Sequence, residues 1–168
     1  MRRIIFLDID GVLNTERNYR SRLRQGLPWR DENGPYFDPE AVEALTCLVE
    51  HTEADIVITS TWRLLGEDRM QTLWATRQMP GILLGGTPQI LTQMYAVRGQ
   101  EIAAWLALNV AEDEECRYVI IDDGRDFLPE QIQFCVFVNP EVGITEEDAR
   151  KALALVNQVE SEANKGGC

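Results

Sequence analysis

Histidine, clustered cysteine and long apolar runs are all scarce in this sequence. There is one histidine, and the four cysteines stand far apart with no CxxC pair, which argues against a zinc site and against a disulfide framework. The first apolar run, residues 4–7, is interrupted by Asp8 and Asp10 before it reaches the roughly 7 to 15 residues of a signal peptide. We therefore expect a cytoplasmic protein with no membrane segment.

Positive charge is also scarce. The 16 lysines and arginines face 28 aspartates and glutamates, so the net charge is −12, which disfavours broad, sequence-independent binding to nucleic acid. One segment departs from this average. Residues 14–37 carry five arginines against three acidic residues, a net charge of +2, so a small local cationic site is compatible with the sequence.

The 168 residues, 45% of them hydrophobic, predict one domain over residues 1–168. Continuous apolar runs of strand length favour a mainly parallel sheet covered on both faces; they lie at 4–7, 56–58, 82–84, 118–121 and 134–138. Helical patterns alternate with them, at 39–49, 66–79, 99–110 and after Thr145. This order predicts a Rossmann-like α/β fold, a three-layer α/β/α sandwich.

Two further segments complete the predicted organisation. Residues 14–37 show no clear periodicity, and a stretch of that length inside a compact domain is typical of a functional loop, so we predict an inserted flap. Residues 161–168 form a short polar tail.

Acidic and hydroxyl residues follow three of the apolar runs. In an open parallel sheet, active residues collect beyond the carboxyl ends of the strands; here these ends carry Asp8, Asp10, Thr59, Asp122 and Asp123. Crowded carboxylates oppose one another's ionisation, and Mg²⁺, which prefers oxygen ligands and bridges carboxylates to phosphate, offsets their charge. A metal, a phosphate and a free carboxylate together indicate phosphoryl transfer.

The motifs DIDGVLN, VITSTWR, RGQEIAAWL and VIIDDGRD, in this order, resemble those of the haloacid dehalogenase superfamily. Most members of that superfamily are Mg²⁺-dependent phosphatases that form an aspartyl-phosphate. The resemblance covers residues 4 to about 155. The details STWR and EIAAWL are similar to a subgroup of such domains associated with RNA-repair proteins. No stretch is long enough for a large cap domain, so we expect an open site.

The resemblance implies a role for each motif residue. Asp8 matches the nucleophile and Asp10 the general acid and base, whose backbone carbonyl is a metal ligand. Gly11 permits the tight turn that follows. The implied phosphate-binding residues are Gly11, Thr59 and Ser60. The implied Mg²⁺-binding residues are Asp8, Asp10, Asp122 and Asp123.

The lysine that is common in the superfamily pattern is absent from this chain. The superfamily places a lysine, less often an arginine, before the helix that precedes the acidic pair, but no lysine occurs between Met1 and Arg150. Arg98 is the candidate at this position. Arginine binds phosphate bidentately but is stiffer and bulkier than lysine. Arg63 is a second cation predicted to reach the phosphate.

The predicted function is Mg²⁺-dependent hydrolysis of a phosphomonoester, either a small molecule or a polymer end, through an aspartyl-phosphate on Asp8. Three alternatives stay open at this point. One is a phosphatase of nucleic-acid terminal phosphates, which the arginines of 14–37 favour and the net charge disfavours. The others are a phosphate-sensing or partner-binding module without turnover, and transfer of the phosphoryl group to an acceptor other than water.

Overall fold

A parallel five-stranded sheet organises the chain, as seen in a computed structural model that describes residues 1–90 and 97–157. The predicted polar tail, 161–168, lies outside these residues. In chain order the elements are β1 (Arg2–Leu7), α1 (Glu16–Arg24), β2 (Arg30–Asp31), β3 (Gly34–Pro35), α2 (Pro39–Thr52), β4 (Asp55–Ile58), α3 (Glu67–Thr76), β5 (Leu83–Gly86), α4 (Val97–Asn109), β6 (Cys116–Asp122), β7 (Cys135–Phe137) and α5 (Glu146–Asn157). Two short 3₁₀ helices cover Thr61–Leu65 and Pro129–Phe134.

The strand order is β5-β4-β1-β6-β7, with every neighbouring pair parallel. β1 is therefore the central strand. In the ladder Leu7 pairs with Ile58 of β4 and with Ile121 of β6, so these three strands end level with one another. The residues that follow them emerge side by side at one edge of the sheet.

Alternate residues of the strands pack on opposite faces of the sheet. Ile5 and Leu7 belong to a buried cluster with residues of α2, α3 and α5, whereas Ile4 and Phe6 pack on Ile102 and the Trp105 ring of α4. Each β1 side chain thus meets a helical layer, which explains the continuous apolar runs. The predicted three-layer α/β/α fold is confirmed.

The helices begin where their polar signals stand. Asp38 accepts a hydrogen bond from the Glu40 amide, and Pro39 occupies the first turn of α2, as expected for an N-cap and a proline with no amide to satisfy. The pattern over 66–79 forms α3, which ends at Thr76, and that over 99–110 forms α4, which begins at Val97. No helix in the described part of the chain combines the length and apolar character needed to cross a bilayer.

The 14–37 segment, predicted as an inserted flap, contains regular secondary structure. α1 lies within it, and β2 pairs antiparallel with β3 as a short hairpin. α1 buries none of its residues, and its apolar side chains are Tyr19 and Leu23 alone, too few for an apolar pattern to indicate a helix. The helix depends instead on its cap, because Thr15 accepts a hydrogen bond from the Asn18 amide.

Candidate active site

Strand register brings Asp8, Thr59 and Asp122 together. Each is placed by the last pairing of its strand, because Asp8 follows Leu7, Thr59 follows Ile58, and Asp122 follows Ile121. All three are buried. The Ile9 amide donates to Asp8 Oδ1 at 2.8 Å, and the Gly124 amide donates to Asp122 Oδ1 at 2.7 Å. Backbone donors thus orient both carboxylates.

Asp8, Asp122 and Asp123 each offer a carboxylate oxygen within 4.8 Å of the others. Burial, and then the nearby charge of Asp8, raise the pKa of Asp122 to about 6. The same two causes raise the pKa of Asp123. These groups resist ionising together, and three oxygen donors within this distance fit a hard divalent cation such as Mg²⁺, whose charge favours the ionised forms.

Arg98 joins two of these carboxylates. Its Nη1 donates to Asp8 Oδ2 at 2.8 Å and also contacts Asp122 Oδ2. Burial opposes its charge, but the carboxylates of Asp122 and Asp8 raise the pKa of Arg98 above its ordinary value. Arg98 thus lies beside Asp8, and its role as the substitute cation stays a prediction.

Close packing between the start of α4 and the loop after β6 positions the backbone of Arg98. A Cβ added to Gly99 would lie 2.5 Å from the Leu128 amide nitrogen and 2.9 Å from Phe127 Cα. Only glycine permits this approach of the helix to the loop after β6. The Gly99 amide also donates to the Asp126 carbonyl at 3.0 Å, so the backbone that carries Arg98 is anchored to the acidic loop.

Asp10 is held by two neutral donors. Trp62 Nε1 donates to its Oδ2 at 2.8 Å, and Asn14 Nδ2 donates to its Oδ1 at 2.7 Å. Both oxygens of the exposed carboxylate are thus positioned from different directions. The sequence contained a signal for these partners, since Asn14 and Trp62 stand in the DIDGVLN and STWR motifs, but no role was predicted for either residue.

Gly11 has a backbone conformation that residues with a Cβ adopt only with steric strain. Its φ is +77°, and an added Cβ would lie 2.5 Å from Asp123 Oδ2. The turn after Asp10 is therefore closed tightly against the acidic pair. A part for Gly11 in phosphate binding stays a prediction.

Thr59 has an unused hydroxyl. It is fully buried, and its Oγ1 has no hydrogen-bond partner among the described residues, while its amide donates to the Leu7 carbonyl. An unsatisfied buried hydroxyl is uncommon because it loses its bonds to water. A bound phosphate oxygen beside Asp8 would supply the missing partner. Ser60 is also buried, and its Oγ accepts a hydrogen bond from the Trp62 amide at 3.4 Å.

The Arg63 guanidinium is engaged within the protein. It donates to the Glu101 carboxylate at 2.5 Å and to the carbonyls of Thr59, Ser60 and Thr87 at 2.8 to 3.0 Å. These contacts fix the loop after β4 to α4 and to the end of β5. Phosphate binding by Arg63 stays a prediction, and Glu101, the buried partner of the arginine, was not identified from sequence.

The acidic residues border a cleft of about 470 Å³. Its lining includes four acidic residues, Asp8, Asp10, Glu16 and Asp123, and the aromatic residues Tyr19 and Trp29. These two rings come from the 14–37 segment. Tyr36 and Phe37, also aromatic residues of that segment, line a different depression against α2.

Residues 4–149 match the family described as the HAD domain in Swiss Army Knife RNA repair proteins. The chain belongs to this family. The predicted resemblance to haloacid dehalogenase domains, and to the RNA-repair subgroup, is thereby confirmed. No curated protein and no solved structure matches the chain.

Membership in the HAD family agrees with the geometry of the strand ends. The matched residues include β4, β6, residues 4–7 of β1 and every site residue described above. The chain is thus a member of a superfamily of phosphatase and hydrolase domains, with an acidic cluster where such domains generally use Mg²⁺.

Proposed function

We propose that the protein is a Mg²⁺-dependent phosphomonoester hydrolase with Asp8 as its nucleophile. The observation that carries this proposal is the register of β1, β4 and β6, which sets Asp8 beside Thr59 and Asp122. A carboxylate nucleophile divides phosphate-ester hydrolysis into two displacements. Two observations support phosphate binding beside Asp8: the Thr59 hydroxyl has no hydrogen-bond partner among the described residues, and the Arg98 guanidinium contacts Asp8.

In the first displacement an Asp8 carboxylate oxygen attacks phosphorus, and the bond from phosphorus to the leaving oxygen breaks. Asp10 donates a proton to that oxygen, so the product leaves as an alcohol. Arg98 and Thr59 bind the oxygens of the transferred group. Mg²⁺ held by Asp8, the Asp10 carbonyl and Asp122 or Asp123 would reduce the repulsion between the phosphate and this acidic cluster.

In the second displacement water attacks phosphorus and releases phosphate from Asp8. Asp10, now ionised, accepts a proton from that water. Its bonds from Trp62 and Asn14 hold the carboxylate in one orientation for both steps. Another acceptor in place of water would give phosphoryl transfer with the same first displacement.

The test is phosphate release from an aryl phosphate at pH about 6 to 7, with and without Mg²⁺. Asp8→Asn should abolish turnover, a loss of at least about 10³-fold, because the amide is not a nucleophile here. Asp113→Asn is the matched control, since Asp113 is exposed in the loop before β6, and it should retain full activity. Turnover that survives Asp8→Asn, or that needs no divalent cation, would contradict the proposal.

Nucleic-acid terminal phosphates are the second candidate substrate. Two observations favour them: the RNA repair proteins named in the family description and the net charge of +3 on α1, from four arginines and one glutamate. Activity on an oligonucleotide phosphate that falls steeply with added salt would support this candidate.

A phosphate-binding module without turnover is the remaining candidate. The use of arginine rather than lysine beside Asp8 favours it, because the larger guanidinium already bridges Asp8 and Asp122. A phosphate analogue such as orthovanadate that binds to a folded protein showing no hydrolysis of any phosphomonoester would identify it.

A further inference from the structure

α1 and the loop after it place two aromatic rings in the candidate cleft. Tyr19 and Trp29 both line it together with Asp8. Their ring centroids are 5.7 Å apart and their planes meet at 76°, an edge-to-face pair whose partners fix each other's orientation. Tyr19 is 39% exposed, so its ring remains accessible from the cleft.

A second depression, of about 520 Å³, continues along the same helix. It is lined by Arg17, Arg20, Leu23, Arg24 and Glu141. Pro140 lines the first cleft and Glu141 the second, so the two are neighbours as well as sharing α1. Tyr19 lines the first cleft and Arg20 and Arg24 line the second, so the ring pair and the cationic surface adjoin along one helix.

The arginines of α1 differ in their availability. Arg17 is engaged by Asp38 at 2.9 Å and by Glu40 at 2.7 Å, and Arg22 lies over the Tyr36 ring at 4.1 Å. Arg20 and Arg24 are exposed. Arg20 pairs with Glu141 and Glu16, whose side chains are 44% and 57% exposed, and such solvent-exposed pairs are weak enough to exchange for a phosphate.

We propose that this surface binds a single-stranded nucleic-acid end. The terminal phosphate reaches Asp8, the adjoining base stacks on one ring of the Tyr19–Trp29 pair and meets the other at its edge, and the next phosphates of the strand contact Arg20 and Arg24. The inference rests on the proposed phosphatase function and names its substrate class. Stacking requires an unpaired base, and a repeated phosphate backbone uses cations in series. An alkyl phosphate engages neither feature, and an acidic phosphopeptide engages the arginines alone.

Binding is measured first, in the Asp8→Asn background so that the ligand is not consumed. Fluorescein-labelled pentanucleotides with a terminal phosphate, as RNA and as DNA, are titrated by anisotropy at several salt concentrations. The loss of one base-stacking ring, in Tyr19→Leu or Trp29→Leu, should weaken binding about ten-fold, and Tyr19→Phe should retain it. Arg20→Gln and Arg24→Gln should each lower the slope of log affinity against log salt by about 0.7.

Arg150→Gln is the matched control for Arg20→Gln. Arg150 is also an exposed helical arginine with an acidic partner four residues earlier, Glu146, but it lies on α5. It should leave both affinity and salt slope unchanged. The ratio of the affinities for the RNA and DNA pentanucleotides shows whether the surface prefers an RNA end or a DNA end.

Hydrolysis separates this inference from the proposed function. The measured quantity is the ratio of kcat/KM for the pentanucleotide phosphate to that for glycerol phosphate, which Tyr19→Leu should lower about ten-fold. If binding depends on Tyr19 and Arg24 but the protein hydrolyses no phosphomonoester, the proposed phosphatase function is contradicted and the proposed binding surface is supported. Unchanged binding in both Tyr19→Leu and Arg24→Gln, or a phosphopeptide bound as tightly as the pentanucleotide, would overturn the inference.

Discussion

Two regions border the candidate cleft and are held in place by different forces. The strand-end site is positioned by buried apolar strands, whose register aligns Asp8 with Thr59 and Asp122. The 14–37 segment is held by polar contacts to the rest of the fold, such as those from Arg17 to Asp38 and from Arg77 to Asp31. The first region follows from hydrophobic burial and the second from pairings between side chains far apart in sequence.

The comparison explains which region sequence patterns describe. Burial imposes a period that can be recognised from residue types alone. A hydrogen-bonded pair imposes no period, so a segment built on such pairs reads as irregular. The two regions should accordingly differ in how they respond to substitution: abruptly at the site, where packing is tight, and gradually in the segment.

Alanine in place of glycine tests this difference with the largest expected effect. Gly11 and Gly26 both have positive φ, +77° and +68°, so the backbone strain of alanine is similar at both, about 1 kcal/mol. An added Cβ at Gly11 meets Asp123 Oδ2 at 2.5 Å, whereas nothing lies within 4 Å at Gly26. Gly11→Ala should lower kcat/KM on an aryl phosphate by about 10²-fold, because displacement of a reacting or metal-binding group by about 1 Å has that effect.

Gly26→Ala is the control and should change kcat/KM by less than about two-fold, with a small loss of thermal stability. Equal losses of activity in the two variants would show that backbone strain, and not the approach to Asp123, governs the site. The measurement is steady-state kinetics beside a thermal melt of each variant.

Acid should weaken metal binding at the site. The pKa of Asp122, about 6, lies above the ordinary value because of burial and the charge of Asp8. Protons therefore compete with Mg²⁺ below pH 6, and the apparent affinity should fall by about ten-fold per pH unit. Calorimetric titration with MgCl₂ at pH 5 and pH 7.5 measures it, with Asp122→Asn as the variant that loses the dependence.

The metal-free protein should show the opposite trend in stability. A carboxyl whose folded pKa exceeds its unfolded value, about 3.9, destabilises the fold once it ionises. The contribution of Asp122 is therefore most favourable below pH ~4 and is lost as the pH rises through 6. Exposed ion pairs of the other region, such as Arg20 with Glu141, contribute little to this change. If Mg²⁺ raised the Tm equally at pH 5 and pH 7.5, the proposed coupling between protonation of Asp122 and binding of Mg²⁺ would be refuted.

Much of the fold and part of the site could be predicted from sequence. The five strands, four of the helices and the positions of Asp8, Thr59 and Asp122 follow from apolar runs and from the residues that end them. α1 could not be predicted in this way, because none of its residues is buried.

The side-chain partners of the site were also out of reach. Trp62 donates to Asp10 across 52 positions in sequence, and Glu101 pairs with Arg63 across 38. Such contacts depend on where the loops cross in three dimensions. In the sequence, the two members of such a polar pair are isolated residues. Each one alone is equally compatible with a position on the protein surface.

Loss of the Trp62 indole donor should have an intermediate effect on the reaction. Trp62→Phe removes the bond to Asp10 Oδ2, 2.8 Å long, and leaves the carboxylate held by Asn14 alone. We expect kcat to fall about ten-fold, less than the roughly 10²- to 10⁴-fold that a general acid and base contributes, because Asp10 itself is retained. Trp74→Phe is the control, since its indole donates to the Pro80 carbonyl and not to a site residue. A similar fall in kcat for both variants would mean that Trp62 acts through stability.

The smallest effect is expected where the 14–37 segment is tethered. Arg77 donates to Asp31 at 2.7 Å and to the Pro35 carbonyl at 2.8 Å, and it lies over the Tyr36 ring at 4.4 Å. Arg77→Gln loosens the hairpin without touching the strand ends, so amide exchange over residues 30–36 should speed up. KM for an oligonucleotide phosphate should rise about two- to five-fold with kcat preserved, as expected for lost binding alone.

Arg69→Gln, an exposed change on α3, is the control for Arg77→Gln and should leave exchange and KM unchanged. A fall in kcat for Arg77→Gln of the size expected for Trp62→Phe would contradict this prediction, because the contacts of Arg77 would then affect the reacting groups. A rise in KM alone would mean that the polar segment positions the substrate while the buried strands position the nucleophile, so that the two regions could be altered independently.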